Sequence, residues 1–145
     1  MIDLSRLHPE VRIKAEVLQK LCRENRLEIL ITDTWRTSEE QEVLYAKGRT
    51  TPGRIVTNTS YPDNPHCWGV AFDFCRNVVG REYDNSDYFF EKVGTLGKSI
   101  GLLWGGDFKL FRDMMHFEHP QFCVENGVNN LIKAWGTPDV FRRGW

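Results

Sequence analysis

A chain of 145 residues, 41% of them hydrophobic, can bury about two-thirds of its unfolded surface in one core without staples, so one domain over residues 1-145 is expected. A formal net charge of -1 excludes a nucleic-acid partner held chiefly by phosphate contacts, and no run is apolar enough for membrane insertion. The start, Met1-Ile2-Asp3-Leu4-Ser5-Arg6, has no apolar signal region and implies synthesis in the cytoplasm, where Cys22, Cys67, Cys75 and Cys123 are expected as free thiols.

In chain order, residues 9 to 26 predict a first helix. Pro9 suits its first position, Glu10 its first turn, and Val11, Ala15, Leu18 and Cys22 recur at helical spacing. Leu27 to Thr34 is short and β-branched and predicts a strand that delivers Trp35 and Arg36 at its end. Ser38-Glu39-Glu40-Gln41 has capping-box form, so a second helix should start at Ser38 and stop near Gly48. Residues 49 to 65 contain Pro52, Gly53, Pro62 and Pro65 and carry neither period. A long ordered loop is expected there, and such loops are uncommon unless they carry function.

From Gly69 the chain reads as a strand with Val70, Phe72 and Phe74 on one face and Ala71 and Asp73 on the other. The bulky face predicts core. The small face leaves space in front of Asp73, and His66 lies on the loop entering the strand. Asn77 to Ser86 reads as turns. Phe89, Phe90, Val93, Leu96 and Ile100 predict a helix ending at Gly101 and weakened at Gly94 and Gly97. Leu102 to Trp104 should be a strand and Met115 to His119 its antiparallel partner, with a last helix from Val124 to Trp135 that Gly136-Thr137-Pro138 ends. Arg142 and Arg143 read as a solvated end.

Two imidazoles and a carboxylate, His66, Asp73 and His116, match the three-ligand pattern of a catalytic zinc site that keeps a fourth position for water. A rival set is His116, His119 and Cys123, closed by Cys67 or Cys75. Asp113 and His116 are three apart and would face opposite ways in a straight strand, so the chain must turn between them.

The runs Thr34 to Thr50 and Pro52 to Asn58, then His66-x-x-Gly69-x-Ala71-x-Asp73, Trp104-Gly105-Gly106-Asp107-Phe108 and Asp113-x-x-His116-Phe117-Glu118 resemble the zinc L-alanyl-D-glutamate peptidases. These are VanY-like enzymes of phage endolysins and bacterial autolysins. The resemblance covers residues 9 to 119 and implies an α+β fold, a small mostly antiparallel sheet with helices on one side, as in the D-Ala-D-Ala metallopeptidases. It also implies zinc on His66, Asp73 and His116, with Asp113 as the catalytic carboxylate and Arg36 steadying the substrate carbonyl or its oxyanion. Where the family usually has Ser, Tyr and Pro, this chain has Asn64, Trp68 and Met115.

The implied activity is hydrolysis of the peptidoglycan stem peptide between L-Ala and D-Glu by a monomer that reaches the wall through holin-type release. Alternatives are a D,D- or L,D-carboxypeptidase of the same fold, another zinc amidohydrolase, and a non-catalytic zinc-stabilised wall-binding module. Around the site, Glu118 is either an acceptor that steadies His116 or a rival base. Arg36 could instead pair with Glu39 or Glu40 at the surface. Gln41 completes a cap or meets substrate, Asn64 is counted among substrate-facing residues, and Trp68, Trp104 and Tyr61 either line a peptide groove or fill core.

Overall fold

The computed structural model describes residues 2–145. Helix α1 (Pro9–Glu24) starts with Pro9 at its first position and buries Val11, Ala15, Leu18 and Cys22, the stripe that helical periodicity demands. Strand β1 (Ile29–Asp33) follows, then α2 (Ser38–Ala46), β2 (Ala71–Arg76), α3 (Phe89–Ser99), β3 (Leu103–Trp104) and β4 (His116–Glu118). These four strands form one sheet in the order β1-β2-β4-β3, every pair antiparallel. The α+β expectation holds.

Alternation along β2 and β4 sets the two faces. Phe72, Phe74 and Phe117 share one, with Phe74 and Phe117 rings stacked at 5.2 Å and Phe90 of α3 against Phe74 at 5.7 Å. The stripes of α1 and α3 join the same buried cluster. Gly94 and Gly97, which weaken α3 by propensity, are what lets it lie so close. A Cβ at Gly97 would stand 2.2 Å from the Phe117 ring, and one at Gly94 2.4 Å from Trp104.

The opposite face carries Ala71 and Asp73 from β2 and His116 and Glu118 from β4, with Asp73 directly across from His116. In β1 the register slips between Ile31 and Asp33, so that Asp33 comes opposite Asp73. This bulge sits beside the site and re-aims one carboxylate toward it.

Several expectations need correction. The cap of α2 is Thr37, whose hydroxyl accepts from Glu40 N at 3.1 Å, one residue before the expected Ser38. The helix expected over Val124 to Trp135 is instead a hairpin, β5 (Cys123–Val124) and β6 (Gly127–Val128), followed by the short α4 (Leu131–Trp135). Glu125 and Asn126 both take positive φ in its two-residue turn, the backbone of a type I′ hairpin, and the Asn126-Gly127 dipeptide was the available signal. Gly136 ends α4 after Trp135 as expected, but that helix is not the last, because Pro138 opens α5 (Pro138–Arg142), where its fixed φ suits the first position. Arg142 is no solvated end: its guanidinium lies over Trp35 at 4.2 Å and donates to Arg6 O at 3.0 Å. The four cysteines are buried free thiols.

Candidate active site

His66 is presented by a turn of 3-10 helix, Pro65–Trp68, that Asn64 caps by accepting from His66 N at 2.9 Å. The Asn64 amide donates in turn to Thr59 Oγ1 at 2.9 Å, so Asn64 ties the ordered loop to the histidine. It is buried, and its hydrogen bonds go to backbone and loop. The turn ends at Gly69, which takes φ 71° where a Cβ would crowd Arg6 O at 3.0 Å. Glycine relieves both constraints.

Each histidine is held by its outward nitrogen. His66 Nδ1 lies 2.6 Å from Thr34 O, and a carbonyl can only accept, so Nδ1 carries the proton and Nε2 offers its lone pair inward. His116 Nε2 donates to Glu118 Oε1 at 2.7 Å, leaving Nδ1 inward. His66 Nε2 and His116 Nδ1 then lie 3.1 and 3.0 Å from Asp73 Oδ1. One ligand atom from each of these three residues falls within 4.8 Å of the others.

Three inward acceptors create a demand for positive charge. Burial alone would lower the pKa of His116, but hydrogen bonds to Asp73 and Glu118 outweigh it and raise it to about 10. Burial likewise opposes ionisation of Asp73, yet His66 and His116 hold its carboxyl well below the usual range. The field that favours a proton on His116 favours a divalent cation in its place, and metal binding there would displace that proton. Two imidazole nitrogens and one carboxylate oxygen are also the donor types that zinc takes in catalytic sites. The donor set fits.

Asp113 lies on the loop before β4. Its carbonyl accepts from His116 N at 3.3 Å, closing the required turn, and its Oδ1 accepts from Met115 N at 3.1 Å. Gly105 makes room for this loop, since a Cβ there would stand 2.2 Å from Asp113 O. Burial and the charge of Asp73 raise the Asp113 pKa, against the opposing pull of His116, Met115 N and His66. A carboxylate so placed is a proton acceptor with its affinity moved toward neutrality.

Arg36 pairs with neither Glu39 nor Glu40. Its guanidinium reaches Asp33 Oδ2 through Nε at 2.5 Å, Gln41 Oε1 through Nη1 at 2.9 Å and Asp73 Oδ2 through Nη2 at 3.2 Å. The contact to Asp73 uses Oδ2, which leaves Oδ1 as the inward ligand atom. Gln41 is fully buried and bridges Arg36 to Thr59 O at 2.8 Å. It braces the arginine and does not complete the cap.

Of the two roles open to Trp68 and Trp104, their burial matches core filling: both indoles donate to backbone carbonyls, Trp68 to Pro62 O at 2.6 Å and Trp104 to Met114 O at 2.9 Å. Tyr61 stays half-buried, beside a cavity of about 230 Å³ that also touches Arg36. Glu118 is fully buried and accepts from His116 and, with both oxygens, from Asn126 N at 3.1 Å, which is the steadying role and no position for a base exposed to water. The rival ligand set does not assemble: His116 turns both nitrogens to carboxylates, and His119 Nδ1 accepts from Gln121 N.

Asp33, Thr34 and Asn126 escape sequence reasoning. Only the strand-end carboxylate three residues before Arg36 left a trace. A cavity of about 680 Å³ lies away from these residues, at the far end of β1 and β2 beside Arg26, Arg76 and Phe89. Volume does not mark the chemistry here; converging lone pairs do.

Residues 57–119, which span loop, His66, Asp73, Asp113 and His116, match the D-alanyl-D-alanine carboxypeptidase family. The chain is 34% identical over 123 residues to the peptidoglycan L-alanyl-D-glutamate endopeptidase CwlK of Bacillus subtilis, covering 79% of this chain and 74% of that protein. It is 28% identical over 147 residues to the L-alanyl-D-glutamate peptidase of a Listeria phage, covering 99% of this chain but 44% of the phage protein. The chain thus spans less than half of that relative. Among solved structures, the vancomycin-resistance D,D-pentapeptidase VanY in complex with Zn(II) is similar in fold, with a TM-score of 0.57, 12% identity, and coverage of 78% of this chain and 72% of that one.

Proposed function

We propose, from the premise that this chain belongs to the L-alanyl-D-glutamate peptidase family, that it is a zinc peptidase hydrolysing the L-Ala–D-Glu bond of the peptidoglycan stem peptide. The observation that carries the reading is the convergence of His66 Nε2, Asp73 Oδ1 and His116 Nδ1 with a second, non-converging carboxylate, Asp113, beside them. His66, Asp73 and His116 would hold the zinc, which would supply Lewis-acid polarisation of the scissile carbonyl and an acidified water.

The chain's own residues do the rest. Thr34 O and Glu118 keep each imidazole in the tautomer that points a lone pair inward, the usual office of groups behind a metal-binding histidine. Arg36 holds Asp73 by its outer oxygen and, fastened by Asp33 and Gln41, keeps a fixed positive charge where negative charge grows on the carbonyl oxygen. Asp113 takes the proton of the attacking water and returns it to the departing amine of D-Glu. Burial and the charge of Asp73 raise its proton affinity above that of an ordinary aspartate, which favours that uptake.

No helix among the described residues is long and apolar enough to cross a membrane, which fits an enzyme that meets its substrate in the wall. Mass spectrometry of purified peptidoglycan after digestion tests the reading. A new free N-terminal D-Glu is expected. Release of C-terminal D-Ala alone would make the chain a carboxypeptidase, and wall binding with no new amine would make it a binding module.

A further inference from the structure

We propose that Arg112 recognises the free α-carboxylate of the D-Glu residue on the leaving side of the scissile bond, and so makes the enzyme selective for D-Glu over its amide. The inference rests on the peptidase reading above and deepens it. D-Glu continues the stem peptide through its γ-carboxyl, so its α-carboxylate stays free. That carboxylate sits on the same carbon as the scissile nitrogen.

Whatever group hands a proton to that nitrogen therefore has the carboxylate for a close neighbour. Asp113 is that group in the reading above, and Arg112 precedes it in the chain. Both line one cavity of about 270 Å³, together with Tyr83, Phe90, Met114 and Met115. Arg112 is held rather than loose: its Nε donates to Gly106 O at 3.1 Å, and Nη2 lies 3.6 Å from Met114 Sδ. Among the described residues its guanidinium has no carboxylate partner.

The rest of the site is a poor host for an anion. Asp33, Asp73, Asp113 and Glu118 surround it; zinc would be taken up by the scissile carbonyl and the water, and Arg36, whose three nitrogens already meet Asp33, Gln41 and Asp73, has charge but no free donor for a carboxylate. A negatively charged substrate group next to these acids needs a cation with free donors. Arg112 has Nη1 to give, and guanidinium-carboxylate pairs are directional as well as charged.

The test compares two synthetic stem peptides, one with D-Glu and one with D-isoglutamine at the second position, cleaved by the zinc-loaded full chain. Amine release gives kcat and KM for each. The wild type should prefer the acid by on the order of tenfold in kcat/KM, carried by KM, and the preference should shrink as salt is raised. Arg112→Gln should bring the ratio of the two substrates to about 1, Arg112→Lys should keep part of it, and Arg112→Glu should invert it.

If Arg112 only props the Asp113 loop, Arg112→Gln will lower both substrates alike and leave the ratio unchanged, which overturns the proposal. Equal cleavage of both peptides by the wild type overturns it too, while leaving the peptidase reading intact. Cleavage of neither peptide by the wild type sinks the peptidase reading, and this inference with it.

Discussion

Strands β2 and β4 carry two opposite kinds of order on their two faces. On one, Phe72, Phe74 and Phe117 pack on each other and on α3 through contacts that have no preferred direction. On the other, Asp73, His116 and Glu118, with His66 beside them, are fixed by hydrogen bonds of 2.6 to 3.2 Å that reach out to Arg36, Thr34 and Asn126. Non-directional packing stabilises the sheet, whereas the polar face uses that stability to hold acceptors close together that would otherwise repel. The difference teaches that changes on one face should be felt as stability and changes on the other as chemistry.

The largest effect expected is on the polar face. His116→Ala removes one of three proposed ligands and should abolish both zinc binding and peptidase activity, because losing a ligand weakens such a site severely. Metal analysis on the purified variant checks it. Full zinc in His116→Ala, with zinc lost instead from Cys123→Ala, would move the metal to another site.

Asp113→Asn should keep zinc and fold but lower turnover by roughly a hundred- to ten-thousandfold, the range of general acid-base catalysis. The sign of the pH dependence follows from the raised pKa. Asp113 must be ionised to accept a proton, so native activity should fall as pH drops through a value above that of an ordinary aspartate. In the Asn variant that limb should vanish. An Asp113→Asn enzyme as active as wild type beside a dead Glu118→Gln would assign the base to the wrong carboxylate.

Glu118→Gln sharpens the comparison, since it changes neither charge-bearing ligand nor core volume. The new amide would face Asn126 N, also a donor, so the brace on His116 should loosen and zinc affinity fall by roughly ten- to a hundredfold. Competition with a chelator measures this. Unchanged affinity would mean that packing, not Glu118, orients the imidazole.

The smallest effect on chemistry should come from the opposite face. Gly97→Ala places a Cβ against the rigid Phe117 ring and should cost about 1 to 3 kcal/mol of stability by overpacking, despite alanine's better helix propensity. Thermal unfolding and activity per folded molecule separate the two readouts. A variant that melts normally but loses zinc would show that the two faces are not independent.

Much of this was written in the chain itself. The period of α1, the alternation of β2 and the rule that residues three apart cannot share a strand face identified the core stripe, the face of Asp73 and the turn at Asp113, because each depends only on local geometry. The order of motifs identified the family. What no local rule could supply was the state of each polar group. Arg36 was legible as functional, yet its partners were not, since a slip in β1 brings Asp33 opposite Asp73. Trp68 and Trp104 looked like groove residues beside glycines until packing closed over them. The hairpin at Glu125 and Asn126 was hidden by the apolar spacing of residues 124 to 135, although its Asn126 amide supports Glu118 from eight residues away in sequence. Periodicity tells which way a side chain faces; only the meeting of distant segments decides what it faces, and with it which nitrogen of a histidine is left free to bind.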